Sequence, residues 1–355
     1  MAREISRLTK GIPAITASGA RHFGVQLEAP PEQYALANKG DAKRFTSDLL
    51  SGSKIKLEGS CTWLEDSQLP FAENGDRLIR LTIKDETAPE NGLLYHPKSL
   101  LVEITDKETT AEDITLGCKS LGYSPLAIAA LITSDNGPVN AAKTIGKNLS
   151  IPVRLVDNFA DLKIAKNNRL AKVQLQNASS LSIIELQAPP ELKYLGKSIG
   201  KVTVLGLGPG KSDWLTPEVK SALEQAEILV WYQTYIDMVP VREGQQRLPS
   251  DNRVELERAR EALDLALKGR HVAVVSSGDP GIFAMASAVI EALDKDPVRW
   301  QTIDFEVLPG LSAMQGAASL AGAPLGHDFA VISLSDIRKP FETIEQRLVA
   351  AAISD

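Results

Sequence analysis

The sequence predicts a multi-domain α/β protein. Its C-terminal half reads as an open, mostly parallel sheet and its N-terminal half as small α/β units. Three observations carry this. Beyond residue 200, short β-branched apolar runs alternate with helical periodicities. Glycine- and proline-rich turns follow three of those runs. The stretch 186–200 (LQAPPELKYLGKSIG) has no clear period, and its prolines suit a linker. A chain of 355 residues is also longer than one domain usually needs.

Taken in order, 201–206 (KVTVLG) reads as a buried strand. Thr216-Pro217-Glu218 is an N-cap, a proline at the first helical position and an acid in the first turn, so a helix runs to about Ala226. A second strand is expected at 227–231. Leu256, Ala259, Leu263 and Leu267 recur at helical spacing and stop at Gly269, a C-terminal cap. Strands are expected at 271–276, 305–308 and 329–334, and helices at 282–293 and 312–321. In the first half, helices are expected at 41–50 and 140–148, and strands at 100–105, 126–133 and 151–156. Two small units would meet near residue 98. The domains are then 1–97, 98–185, a linker 186–200, and 201–355.

A formal net charge of −6 disfavours nucleic acid or an anionic membrane surface as the main partner. No apolar run reaches the roughly 20 residues that span a bilayer. The polar first ten residues carry no signal-peptide core. A cytoplasmic protein is expected. Cys61 and Cys118 read as reduced, partly buried thiols, and the four histidines show no metal-ligand spacing.

Ligands of open α/β sheets bind outside the carboxyl ends of the strands. Three turns lie there: 206–210 (GLGPG), 276–282 (SSGDPGI) and 309–313 (PGLSA). Glycine lets backbone approach a ligand closely. A dinucleotide site is disfavoured, because Lys211 stands where the GxGxxG fingerprint has its last glycine and no acid closes the second strand. No GxxxxGK[ST] phosphate loop occurs.

GLGPG, followed by LTPEVKSALEQAEILVWYQTYID, resembles the opening of the tetrapyrrole (precorrin) methyltransferases. SSGDPGIFAMASAVIEAL, LPGLSAMQGAASLAGAPLGHDFAVISLSD and the segment from Lys339 to Glu345 narrow the resemblance to precorrin-3B C(17)-methyltransferases. It covers about 200–355. It implies S-adenosylmethionine as cofactor, a carboxylate-rich tetrapyrrole as substrate, a homodimer and a fold of two lobes. Pro209, Ser277, Gly278, Asp279, Ile282, Ser312 and Ala313 would then bind the cofactor. Gly206, Gly208, Gly210 and Tyr232 would face the substrate. Where that family has Gly-Tyr, this chain has Trp231-Tyr232, and the chain reads as truncated before a second lobe. A non-catalytic cofactor- or tetrapyrrole-binding fragment is the alternative. His327-Asp328 is a weaker candidate relay pair.

The first half is similar to cobalt-precorrin-5A hydrolases, lactone-opening enzymes. The similarity lies in GIPAITASGARHFGVQ (11–26), Asn38-Lys39-Gly40-Asp41, SPLAIAALITSD (124–135) and IPVRLV. Its glycine- and cysteine-rich motif is replaced by Val102 to Asp106, so a degenerate, inactive half is expected.

Overall fold

The computed structural model describes residues 18–157, 169–174, 180–250, 255–336 and 339–353. The start of the first hydrolase-like motif, 11–17, lies outside them. The chain divides into two compact units, Met1–Ile199 and Gly200–Asp355. Both contain parallel sheets with flanking helices, so the chain is a multi-domain α/β protein.

The first unit holds two sheets. One is built from β1 (Tyr34–Leu36), β2 (Ile55–Glu58), β3 (Arg77–Leu81) and β4 (Gly92–Pro97), in the order β1-β4-β3-β2. Helices α1 (Ser18–Phe23), α2 (Ala42–Leu50) and α3 (Thr62–Glu65) belong to the same layer. Phe45 and Leu49, four apart on α2, pack with Ile79, Leu93 and Tyr95. Asn38 fixes the entry to this layer. Its amide donates to the Gly92 carbonyl at 2.9 Å, and its oxygen accepts the Leu94 N–H at 3.1 Å. The Asn38 motif is thus accounted for by strand anchoring.

The second sheet comprises β5 (Leu100–Glu103), β6 (Ile128–Thr133), β7 (Val153–Leu155), β8 (Arg169–Gln174), β9 (Ser180–Glu185) and β10 (Lys197–Ser198). Its order is β10-β7-β6-β5-β9-β8, with β5, β6 and β7 parallel. Every residue of β6 is buried, as its continuous apolar run requires. Between these strands run α4 (Ala111–Ser120), started by a Thr110–Asp113 capping box, and α5 (Val139–Leu149). Within 186–200, Lys197–Ser198 pairs with β7, Leu195 is buried, and Arg154 Nε donates to the Leu195 carbonyl at 2.7 Å. Much of the stretch read as a linker is therefore built into this sheet.

The second unit is one five-stranded parallel sheet. Its strands are β11 (Lys201–Gly206), β12 (Ile228–Tyr232), β13 (Gln246–Ser250), β14 (His271–Ser276) and β15 (Asp304–Leu308), in the order β13-β12-β14-β11-β15. Helices α8 (Glu255–Leu267) and α9 (Ala286–Lys295) cover one face, where Leu263 and Val289 pack with Val202, Val230 and Val274. The other face packs Val219 and Leu223 of α6 (Pro217–Gln225) against Leu205, Leu229 and Val275. The unit is completed by α7 (Gln233–Asp237), α10 (Ala313–Leu320) and α11 (Phe341–Ile353).

Two expectations are corrected. Residues 329–334 form no strand. Among the described residues they pair with no neighbour, and Phe329, Val331 and Leu334 stay exposed. An apolar run without a ladder partner leaves its backbone groups to water and gains nothing from extension. The helix expected at 282–293 begins only at Ala286, since 281–285 form a loop. The short α7, β13 and α11 carried no readable period in the sequence.

His96, on β4, is 2% exposed, and the Thr82 carbonyl lies 2.7 Å from its Nδ1. A carbonyl only accepts, so the neutral ring donates from Nδ1. Burial holds the imidazole below its ordinary value of 6.5. Below that value the unfolded chain takes up a proton that the folded chain refuses. The first unit should therefore lose stability as the pH falls from about 7 through 6.5. The opening free energy of the β4 amides, taken from exchange rates corrected for their intrinsic pH dependence, should fall across that interval in the wild type, and the slope should flatten in His96→Gln.

Candidate functional site

The carboxyl ends of β14, β11 and β15 lie side by side, because those strands are neighbours in the sheet. Three turns distant in sequence consequently meet. The chain leaves β11 toward α6 on one face and leaves β14 toward α9 on the other. The two exits diverge, opening a crevice between adjacent strands of the kind in which open sheets bind ligands.

The first and second turns are bonded to each other. Leu207 N–H donates to the Ser276 carbonyl at 2.8 Å, and Gly208 and Gly278 exchange N–H···O bonds of 3.2 and 2.9 Å. A methyl group on Gly206 would overlap the Gly278 carbonyl oxygen, and so would one on Gly310 of the third turn. Gly208 and Gly278 have φ of +72° and +60°, a region that favours glycine.

Asp279 ties the second turn to the third. One carboxylate oxygen accepts the Gly281 N–H at 2.8 Å and the other accepts the Gly310 N–H at 3.2 Å. Ser312 caps α10 by a reciprocal box with Gln315. A side chain on Gly278 would meet nothing nearer than Ala313 N at 3.7 Å and Ser312 Cα at 3.9 Å. Gly278 is buried, and a Cβ there would stand in ordinary contact with the start of α10.

The structure thus brings together Gly206, Gly208, Gly278, Asp279, Ser312 and Ala313. Pro209 joins them by packing on Gly316 of α10, where a Cβ would lie 3.2 Å from its ring. Ser277 is half-buried between the first two turns, and its carbonyl accepts the Ser276 hydroxyl at 3.2 Å. Gly210 is exposed, with φ +114° and Met238 nearby. Ile282 is exposed at the tip of the second loop. Tyr232 lies a strand away, at the end of β12, and packs against the core with Trp231 and Tyr235 at ring separations of 5.5 Å. Burial, aided by the Glu255 carboxylate, holds its phenol above the ordinary tyrosine value. His327 and Asp328 lie in an exposed, irregular segment.

The sequence did not single out Trp214. Its indole lies against Gly316 beside Pro209, and Lys211 Nζ lies 4.9 Å from its ring centroid. A large aromatic between a glycine turn and a helix N-cap was the available signal. A cavity of about 190 Å³ lined by Lys201, Thr203, Ser221, Gln225, His271 and Glu306 lies away from this site, toward the amino ends of β11 and β14.

Residues 201–355 match the family model of the tetrapyrrole (corrin/porphyrin) methylases. The match takes in nearly the whole of the second unit. This chain is 54% identical over 156 residues to the cobalamin biosynthesis protein CobIJ of Mycobacterium tuberculosis, covering 44% of this chain and 30% of that protein. It is 48% identical over 153 residues to a precorrin-3B C(17)-methyltransferase of a Sinorhizobium species, covering 43% and 60%. A crystal structure of the methyltransferase CobJ has 55% identity and a TM-score of 0.43, over 44% of this chain and 65% of that one. The chain thus spans less than two thirds of the length of these relatives. No described helix is long and apolar enough to cross a membrane.

In the second unit, Trp231 has φ +139°. The turn places its side chain on the same face as Val230, in the α8/α9 core, where the indole is fully buried. Trp231→Gly would remove the strain and the indole together. Deleting a buried indole costs roughly 3–5 kcal/mol, against roughly 1–2 recovered from the backbone. The variant should lose roughly 1–4 kcal/mol in urea denaturation. Asp279→Ala removes two hydrogen bonds to a carboxylate. It should cost about 2 kcal/mol and quicken amide exchange at Gly281 and Gly310.

Proposed function

We propose that the second unit binds S-adenosylmethionine at the three glycine turns, as the cofactor lobe of a methyltransferase acting on a precorrin in cobalamin biosynthesis. The methyl acceptor in this reading is C-17 of the macrocycle, with ring contraction. The observation that carries it is the mutual packing of Gly206, Gly278 and Gly310, which sets three side-chain-free turns edge to edge beside Ser312 and Ala313. Such turns suit a cofactor held largely by main chain. The amino terminus of α10 adjoins them, and its partial positive charge favours an anionic group such as the cofactor's carboxylate.

Bound there, S-adenosylmethionine would supply a methyl group whose leaving group is a neutral thioether, so no residue is needed to protonate it. The chain's task is orientation and exclusion of water. Orientation of reacting groups is worth up to roughly 7–11 kcal/mol. The turns are suited to it because they are fastened to one another by Asp279 and by the Gly208–Gly278 pair. Tyr232, with its phenol held neutral and packed on Trp231, would border the substrate rather than exchange protons with it.

The domains proposed are 1–97 and 98–185 as a hydrolase-like half, 186–200 as the connection, and 201–355 as the methylase lobe, which would form a homodimer. The hydrolase-like half is assigned no catalytic residues.

Calorimetric titration with S-adenosylmethionine and S-adenosylhomocysteine tests the reading. Saturable one-site binding is expected. Gly278→Leu should abolish it, because the side chain would wedge between the second turn and the start of α10, where a Cβ already stands 3.7 Å from Ala313 N. At φ +60° a leucine also costs roughly 1–2 kcal/mol of stability, so circular dichroism should show a folded but less stable variant. Undiminished affinity in folded Gly278→Leu would remove the turn assignment.

A further inference from the structure

Phe283 is anomalous. Its φ is +50°, a region that glycine, asparagine and aspartate enter readily and other side chains resist. Its residue is 64% exposed, its ring makes no aromatic contact among the described residues, and it joins neither core cluster of the second unit. An exposed phenylalanine in a left-handed turn gives the fold neither packing nor backbone ease.

The loop that carries it is firmly held. Ala286 N–H donates to the Pro280 carbonyl at 2.9 Å, closing the base of the loop. Ile282 N–H reaches the Asp279 carbonyl at 3.3 Å, and Met285 is buried at the far side. The tip therefore presents Ile282 and Phe283 to solvent from a fixed base, directly after the Asp279 clamp. Met238, 45% exposed, is the apolar residue beside the first turn, near Gly210.

We propose that Phe283 is a stacking shelf for the flat conjugated ring of a ligand held by the glycine turns. This rests on the methyltransferase reading. Conformations that oppose residue preference cluster at functional sites, where a ligand repays them. Aromatic rings are suited to flat conjugated groups, since the contact needs only a π-face. Two groups of that chemistry belong to the proposed reaction, the adenine of the cofactor and the tetrapyrrole macrocycle.

The experiment titrates wild type, Phe283→Asn and Phe283→Trp with S-adenosylhomocysteine and, separately, with uroporphyrin as a carboxylated macrocycle. Asparagine tolerates the backbone conformation and removes the ring, so the thermal midpoint should hold or rise. Tryptophan keeps a π-face. Phe283→Asn should weaken one probe by about tenfold or more, with Phe283→Trp near wild type. Loss confined to S-adenosylhomocysteine assigns the shelf to adenine, and loss confined to uroporphyrin assigns it to the macrocycle. Affinities for both probes within about twofold of wild type in folded Phe283→Asn, where wild type binds, would overturn the shelf and leave the glycine-turn site standing. A wild type that binds neither probe would overturn both.

Discussion

The carbonyl oxygen of Gly278 occupies the volume that a side chain on Gly206 or Gly310 would need. That single close approach governs the carboxyl edge of the second unit. It follows from topology, because β11 is flanked on both sides by parallel partners, β14 and β15. All three strands then end at the same edge, and their turns must share it. A hydrogen bond between turns contributes only about 1 kcal/mol, so the bonds adjust a geometry that steric exclusion has already narrowed. Asp279 acts within this frame. Its two oxygens reach two different turns, so loss of the side chain would loosen the third turn as well as its own.

Much of this edge was legible in the sequence because turn chemistry and strand pattern are local. Thr216 was readable as a cap, and its side chain accepts the N–H three residues on. The runs at 201–206 and 271–276 were readable as strands, since each is apolar and β-branched and bounded by glycine or serine. The meeting of the turns depended on strand order, which no local pattern encodes. Residues 329–334 failed for the same reason. Their composition suits a strand as well as that of 305–308 does, and only the absence of a neighbouring ladder distinguishes them. Trp214 escaped notice because its role is a contact with Gly316, about a hundred residues on.

In the first unit, polar residues from the hydrolase-like motifs serve structure. Asn38 makes the bonds that an edge strand would otherwise supply to Leu94 and Gly92. Ser124 caps the turn before β6 by accepting the Leu126 N–H, and its own N–H donates to Ile83 at 2.8 Å. Asp135, at the end of the 124–135 motif, pairs with Lys197 at 2.6 Å, which fastens the returning chain beside β7. With side chains so engaged, these residues are accounted for by folding and lend no support to lactone chemistry.

Trp231 and Phe283 show how one backbone anomaly carries different meanings. Both residues have a positive φ and both lie near the carboxyl edge of the same sheet. At Trp231 the strain, roughly 1–2 kcal/mol, is offset by an indole wholly withdrawn from water among Val230, Met285 and Val289. Burial of a large apolar side chain is worth more than that strain, so packing alone accounts for the residue. At Phe283 the same strain meets a ring left mostly in water, and no term within the described fold offsets it. A turn of that shape could be made by glycine or asparagine at lower cost. The compensation for Phe283 has to come from outside the unit, and the second glycine turn, with Gly278 and Gly281 five and two residues before it, is where a bound molecule would supply it.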